Sequence, residues 1–203
     1  MTVVEIESLW DFSDPAGTEA KFRDLLAGAN ETEQAILWTQ IARTHSLRKS
    51  FDEARAALSN VSSEEAEPRV RFELEMGRIL NSSEMPLEAV PHFRSALEIA
   101  AEADLEYLHL DAIHMLAIAD SANSVAWAEK GIELAKGANE EKCRRWLGPF
   151  YNNLGWTYFD RGEYEAALVA FELGLAERER QGVARPIEIA RDAVAEAKKA
   201  LGQ

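Results

Sequence analysis

Glu106 and His109 stand three residues apart, the spacing that sets a carboxylate and an imidazole on one face of a helix, as in helical di-metal centres. Such a centre needs a second Glu-x-x-His pair and two further glutamates on facing helices, and the sequence has none at that spacing. Asp111 and His114 repeat the separation on a different helix face, where His114 reads as a packed or Asp-paired side chain. No metal site is expected. Cys143 is followed by Arg144 and Arg145, and neighbouring cations lower a thiol pKa. No histidine lies near it to act as a base, so it reads as an ordinary helix residue. The chain has no phosphate-cradling G-x-x-x-x-G-K-S/T, no G-x-S-x-G and no H-E-x-x-H. The expectation is a noncatalytic protein without a cofactor. The chemistry left to it is that of arginine, whose planar fork binds carboxylates or phosphates through paired hydrogen bonds.

What positions those side chains follows from composition. Lys and Arg number 22 against 36 Asp and Glu in 203 residues, a net charge of -14. That balance argues against nucleic acid as a partner, because phosphate binding needs clustered cations. One cysteine excludes an internal disulfide and a zinc cluster. There are 33 Ala and 27 Glu against 11 Gly and 6 Pro, which is the make-up of packed helices. The opening MTVVEIESLWDF lacks a cationic leader and carries Glu5 and Glu7. No stretch approaches the roughly 18 apolar residues of a membrane helix. A cytoplasmic protein with no membrane partner is expected.

The segment LGPFYNNLGWTYFDRGEYEAALVAFELGL sets Leu154, Gly155, Tyr158, Gly162, Tyr164, Ala167, Phe171 and Leu175 in a pattern of small and large residues. It closely resembles the tetratricopeptide repeat, a helix-turn-helix unit of 34 residues in which small residues let two antiparallel helices approach. Gly155 takes position eight of that unit. Weaker copies put Ala42, Gly77 and Ala112 at the same position, at spacings of 35, 35 and then 43 residues. The resemblance implies an all-α solenoid, a right-handed superhelix of antiparallel helix pairs. Residues 1–30 would hold an N-terminal segment and capping helix, 31–185 four repeats, and 186–203 a C-terminal capping helix, in a single domain. Phe22, Leu25 and Leu26 form the apolar stripe of the first cap, with Asp14 as N-cap and Pro15 in its first turn. Ala195 aligns at position eight of the last cap. The eight additional residues before the fourth repeat are expected to lengthen both flanking helices by a turn each, with their boundary near Asn139. Three residues depart from the pattern. Glu73 and Asp111 replace apolar positions, with His114 a partner for a buried Asp111, and Pro91 should bend or delay its helix.

In this family the first helix of each repeat lines the concave face. The residues that the resemblance places there include Arg43, Arg71, Arg78, Asn81, His109, Arg145, Asn152 and Trp156, beside Thr39, Ser46 and Phe159. In a chain this acidic, that row reverses the local sign of charge, and it fits an acidic extended or helical peptide. The competing expectation pairs Arg71 and Arg78 with Glu75 along their own helix. The Lys and Asn pattern of the family's carboxylate-clamp variants is missing. The implied function is a protein- or peptide-binding scaffold, and the alternative is a regulatory sensor taking a small anionic ligand or signalling peptide in the same groove. The exposed ends of a repeat stack leave a homodimer open. Trp10 and Phe12 either tuck over the first cap or face a partner.

Overall fold

The computed structural model describes Ile6 and residues 8–203. Glu5 and Glu7, which argued against a leader, lie outside the described residues. Among the described residues the regular elements are helices: α1 (Pro15–Leu26), α2 (Glu31–Leu47), α3 (Phe51–Leu58), α4 (Ala66–Ser82), α5 (Pro86–Glu102), α6 (Glu106–Ala119), α7 (Ser124–Gly137), α8 (Glu141–Arg144), α9 (Leu147–Asp160), α10 (Tyr164–Gln181) and α11 (Ala184–Ala200). They divide into two compact units, one ending at His109 and the other spanning Leu110–Gln203.

The hairpins keep a common register. The first helix ends five residues after Ala42, Gly77 and Gly155, at Leu47, Ser82 and Asp160. The second helix begins nine residues after them, at Phe51, Pro86 and Tyr164. Between the helices, seven residues on, Lys49, Glu84 and Gly162 hold positive φ of 61°, 63° and 76°. The last helix continues the rule, ending five residues after Ala195 with Gly202 at φ 75°. The reason for the small residue is steric. A Cβ on Gly77 would lie 2.5 Å from the ring of Phe93, and one on Gly155 would lie 2.4 Å from the ring of Phe171, sixteen residues on in both cases.

The third hairpin slides. Its first helix runs to Ala119, seven residues past Ala112, and its second begins only at Ser124. Asp120 holds this longer turn by accepting the Nδ2–H of Asn123 at 3.0 Å and the Nε1–H of Trp127 at 3.1 Å.

The eight added residues behave differently from the expectation. The break does fall at Asn139, between Gly137 and Glu141, but the flanking helices are not each a turn longer. The residues form the single turn α8 and a joint at Arg145 and Trp146. Pro149 accounts for the joint: it has no N–H to give the carbonyl of Arg145, and its ring would clash there in a continuous helix. That carbonyl accepts from the Nε2–H of Gln181 instead, at 3.2 Å. Trp146 then seats its ring 5.0 Å from His114 and 6.1 Å from Phe150.

In the first unit Phe22 from α1, Ile36, Leu37 and Ile41 from α2, Leu58 from α3 and Ile79 from α4 share one core. Asp14 caps α1 by accepting the N–H of Gly17 at 2.9 Å. Asn30 and Glu33 form a reciprocal capping box at the start of α2. Trp10 tucks over the cap, edge-on to Phe22 at 5.4 Å, and its Nε1–H donates to Gln40 at 2.8 Å. Phe12 stacks on Trp10 at 4.8 Å while remaining 66% exposed. Glu73 departs from the apolar pattern because it meets His92 across the α4–α5 hairpin at 2.6 Å. Pro91 does not delay α5, which starts in register at Pro86 and runs on through it. In the second unit α11 lays Ala193, Val194 and Ala197 over Ala167 and Phe171 of α10.

Candidate functional site

In the first unit the arginine row is organised around one carboxylate. Glu75 of α4 is 4% exposed and receives Arg78, one turn on, at 2.5 Å. Arg43 of α2 approaches the other oxygen of Glu75 at 3.7 Å. Two guanidiniums therefore sit on one buried carboxylate, Arg78 through a charge-assisted hydrogen bond within α4 and Arg43 through an ion pair that links α2 to α4. Arg71 is buried as well and binds Glu67, four residues earlier, at 2.9 Å. A helix offers an arginine both its i−4 and i+4 neighbours, and Glu67 is the i−4 neighbour of Arg71. Asn81 and His109 are half-buried, whereas Thr39 and Ser46 of the same row are buried. Arg71 and Arg78 are thus counter-ions within the unit, and Arg43 and Asn81 are the more accessible members of the row.

In the second unit Arg145 sits exposed at the joint before α9. Among the described residues no carboxylate pairs with it. Trp156 is 37% exposed and rests edge-on against Phe159 at 5.4 Å and the core ring of Phe171 at 5.0 Å. Asn152, one turn earlier on α9, is half-buried and lines a cavity of about 170 Å³. That cavity lies between α9, α10 and α11, with Gly148, Gly174, Arg178 and Ile189 in its wall. The sequence reading missed Arg178, because family position singles out first-helix residues and Arg178 is on a second helix. The signal for it was Gly148, a glycine inside a helix where alanine would be favoured.

Glu106 is exposed, and among the described residues no three His, Cys, Asp or Glu side chains gather as metal ligands. Cys143 is fully buried. His114 faces Asn153, with 3.1 Å between Nδ1 and Nδ2. Among the described residues no helix is long and apolar enough to cross a membrane.

A family model described as Tetratricopeptide repeat matches residues 150–180. That stretch covers most of the α9–α10 hairpin, with Asn152, Gly155, Trp156 and Phe171 inside it. No curated protein matches the chain. The matched hairpin has the same helix ends, the same small-against-large contact and the same left-handed turn residue as the hairpin built on Gly77, so the chain is an all-α, tetratricopeptide-like repeat protein.

Proposed function

We propose that the chain is a noncatalytic scaffold that binds a protein or peptide along the first helices of its repeats, on the concave side of the superhelix that the family fold implies. Tetratricopeptide repeats serve in general as protein-interaction scaffolds. The observation that carries the reading to this chain is Trp156: a large aromatic side chain left 37% exposed inside the matched repeat, yet held by Phe159 and Phe171. A ring already fixed by packing loses little freedom on binding, and tryptophan is among the residues that dominate interface energetics.

The partner is taken to carry acidic groups. Arg145 has no carboxylate paired with it among the described residues, and Arg43 shares Glu75 with Arg78. Asn81 and His109 add hydrogen-bonding capacity in the first unit, where Arg71 and Arg78 are paired along α4, and Asn152 adds it on α9 in the second. The net charge of -14 supports a protein rather than a nucleic acid as the partner.

The test compares partner capture by the wild-type chain, Trp156→Ala and Arg145→Glu, each verified as folded by circular dichroism. Each substitution is expected to weaken retained partners by about tenfold or more, as loss of an interface anchor does. Unchanged binding of every captured partner by both variants would remove this surface from consideration. Arg78→Ala is unsuited to the purpose, since removing one member of a buried pair destabilises a fold by about 3–5 kcal/mol.

A further inference from the structure

Arg178 is an arginine of the second unit that is drawn inward without a carboxylate to meet it. It lies in the last turn of α10 with acidic neighbours on both sides, and both are engaged elsewhere. Glu177 binds Arg180 at 3.0 Å, and Glu179 binds Arg191 at 2.7 Å. Among the described residues no carboxylate pairs with Arg178. Its guanidinium turns inward instead, into the cavity of about 170 Å³ between α9, α10 and α11. Burial pulls its pKa below the usual arginine value, the mark of a cation taken from water without a counter-charge.

The site is built to hold that side chain. Gly148 has no Cβ where one would stand 2.7 Å from Nε of Arg178, so the glycine makes the room. A Cβ on Gly174 would lie 3.6 Å from the carbonyl oxygen of Gly148, and this close approach of α9 and α10 forms the cavity floor. Nη1 of Arg178 donates to Oε1 of Gln181 at 3.3 Å, and Gln181 is itself anchored to the carbonyl of Arg145 at 3.2 Å. One neutral acceptor thus orients the fork and leaves its other donors to face the cavity. The wall combines this cation and the amide of Asn152 with Phe171, Pro186, Ile189 and Ala190.

We infer that this cavity is a binding site for a small organic acid, its carboxylate on Arg178 and Asn152 and its short aliphatic body against Ile189, Pro186 and Phe171. A carboxylate matches the guanidinium fork and supplies the missing counter-charge, while the apolar wall disfavours a fully hydrated dianion such as phosphate. The size agrees, since a protein cavity of about 150 Å³ accepts a benzene-sized ligand. The site shares Asn152 with the proposed partner surface, but its cation, Arg178, comes from a second helix, which that surface does not use.

The experiment is calorimetric titration of the full chain with isovalerate, its neutral amide isovaleramide, inorganic phosphate, and a short peptide ending in leucine with a free or an amidated terminus. Isovalerate is expected to bind saturably and about tenfold or more tighter than isovaleramide or phosphate. Arg178→Met, which keeps the stem and loses the charge, is expected to lose at least tenfold in affinity, and Gly148→Ala to weaken binding by displacing the fork. Arg178→Lys keeps the charge and loses the fork, so an intermediate affinity supports the site even if the methionine variant does not fold. Equal binding of acid and amide, preference for phosphate, or a folded Arg178→Met that binds like the wild type overturns the proposal. Binding of the free-terminus peptide without isovalerate overturns the free acid as occupant and assigns the cavity to a chain end.

Discussion

His45 and Glu19 form a small titrating cluster in the first unit. Glu19 accepts from Arg23 at 2.7 Å and from Arg48, and faces Nε2 of His45 at 3.3 Å. Burial works against its ionisation, but the hydrogen bonds from Arg23 and Arg48 outweigh it and hold the carboxyl below the usual range. For His45 burial acts first, and with Arg48 and Arg23 beside it the pull of Glu19 is overcome, so its pKa falls below the ordinary value. Both groups bind protons more readily in the unfolded chain, so stability is fully present above their ordinary pKa values and declines as pH falls. Urea midpoints should therefore drop between about pH 7 and 5 as His45 titrates, then further as Glu19 does. His45→Gln should flatten the first part of that decline, and an identical slope in the variant would assign it elsewhere. Lys49 and Glu84 give a second prediction at this scale. Both occupy the left-handed turn position that glycine fills at 162, and a side chain there strains the backbone. Glu84→Gly should stabilise by roughly 0.5–1 kcal/mol, read as a rise in Tm of about 1–3 °C, while Gly162→Ala should lower it.

Helices meet in this protein through glycine and a ring. Gly155→Ala would drive a methyl group into Phe171 at 2.4 Å, and Gly77→Ala would do the same at Phe93. Each should cost about 1–3 kcal/mol, the usual penalty of overpacking. Gly137→Ala, at the end of α7 with nothing within 4 Å of the added carbon, should cost nothing and can stabilise the helix. Denaturant midpoints of the three variants test the contrast, and equal effects would contradict it. Element positions were legible wherever small and large residues recurred at constant offsets, which is why three hairpins match the expected register closely. The joint at Arg145 and Trp146 was not read, although Pro149 announced it, because a repeat template distributes added residues evenly and a proline does not. The later turn after Ala119 was likewise hidden, for it depends on Asp120 collecting donors from Asn123 and Trp127.

Across the molecule, most of the arginine charge is spent within the units, on Glu19, Glu67, Glu75, Glu141, Glu177 and Glu179. Among the described residues, Arg145 and Arg178 of the second unit have no carboxylate paired with them. The last helix completes the second unit, since Ala193, Val194 and Ala197 cover Ala167 and Phe171. Removing residues 184–203 should destabilise that unit by at least about 2 kcal/mol, the cost of exposing one large aromatic side chain. A lowered thermal transition together with new binding of a hydrophobic dye would show it. An unchanged transition would mean that α11 is dispensable to the fold.

The sequence alone determined the helical class, the pairing of helices and the positions of three turns, because these rest on local periodicity and on where a helix can tolerate only a small residue. Tertiary structure decided which charges remain available. Arg71 and Arg178 both look like surface cations on a helix; one is consumed by Glu67, while the other turns into a cavity with its acidic neighbours taken by Arg180 and Arg191. The pairs Arg71–Glu67 and Arg180–Glu177 follow from spacing within a helix, whereas the reach of Arg191 to Glu179 and the packing of α9, α10 and α11 around Arg178 depend on distances between helices, which spacing within a helix does not encode.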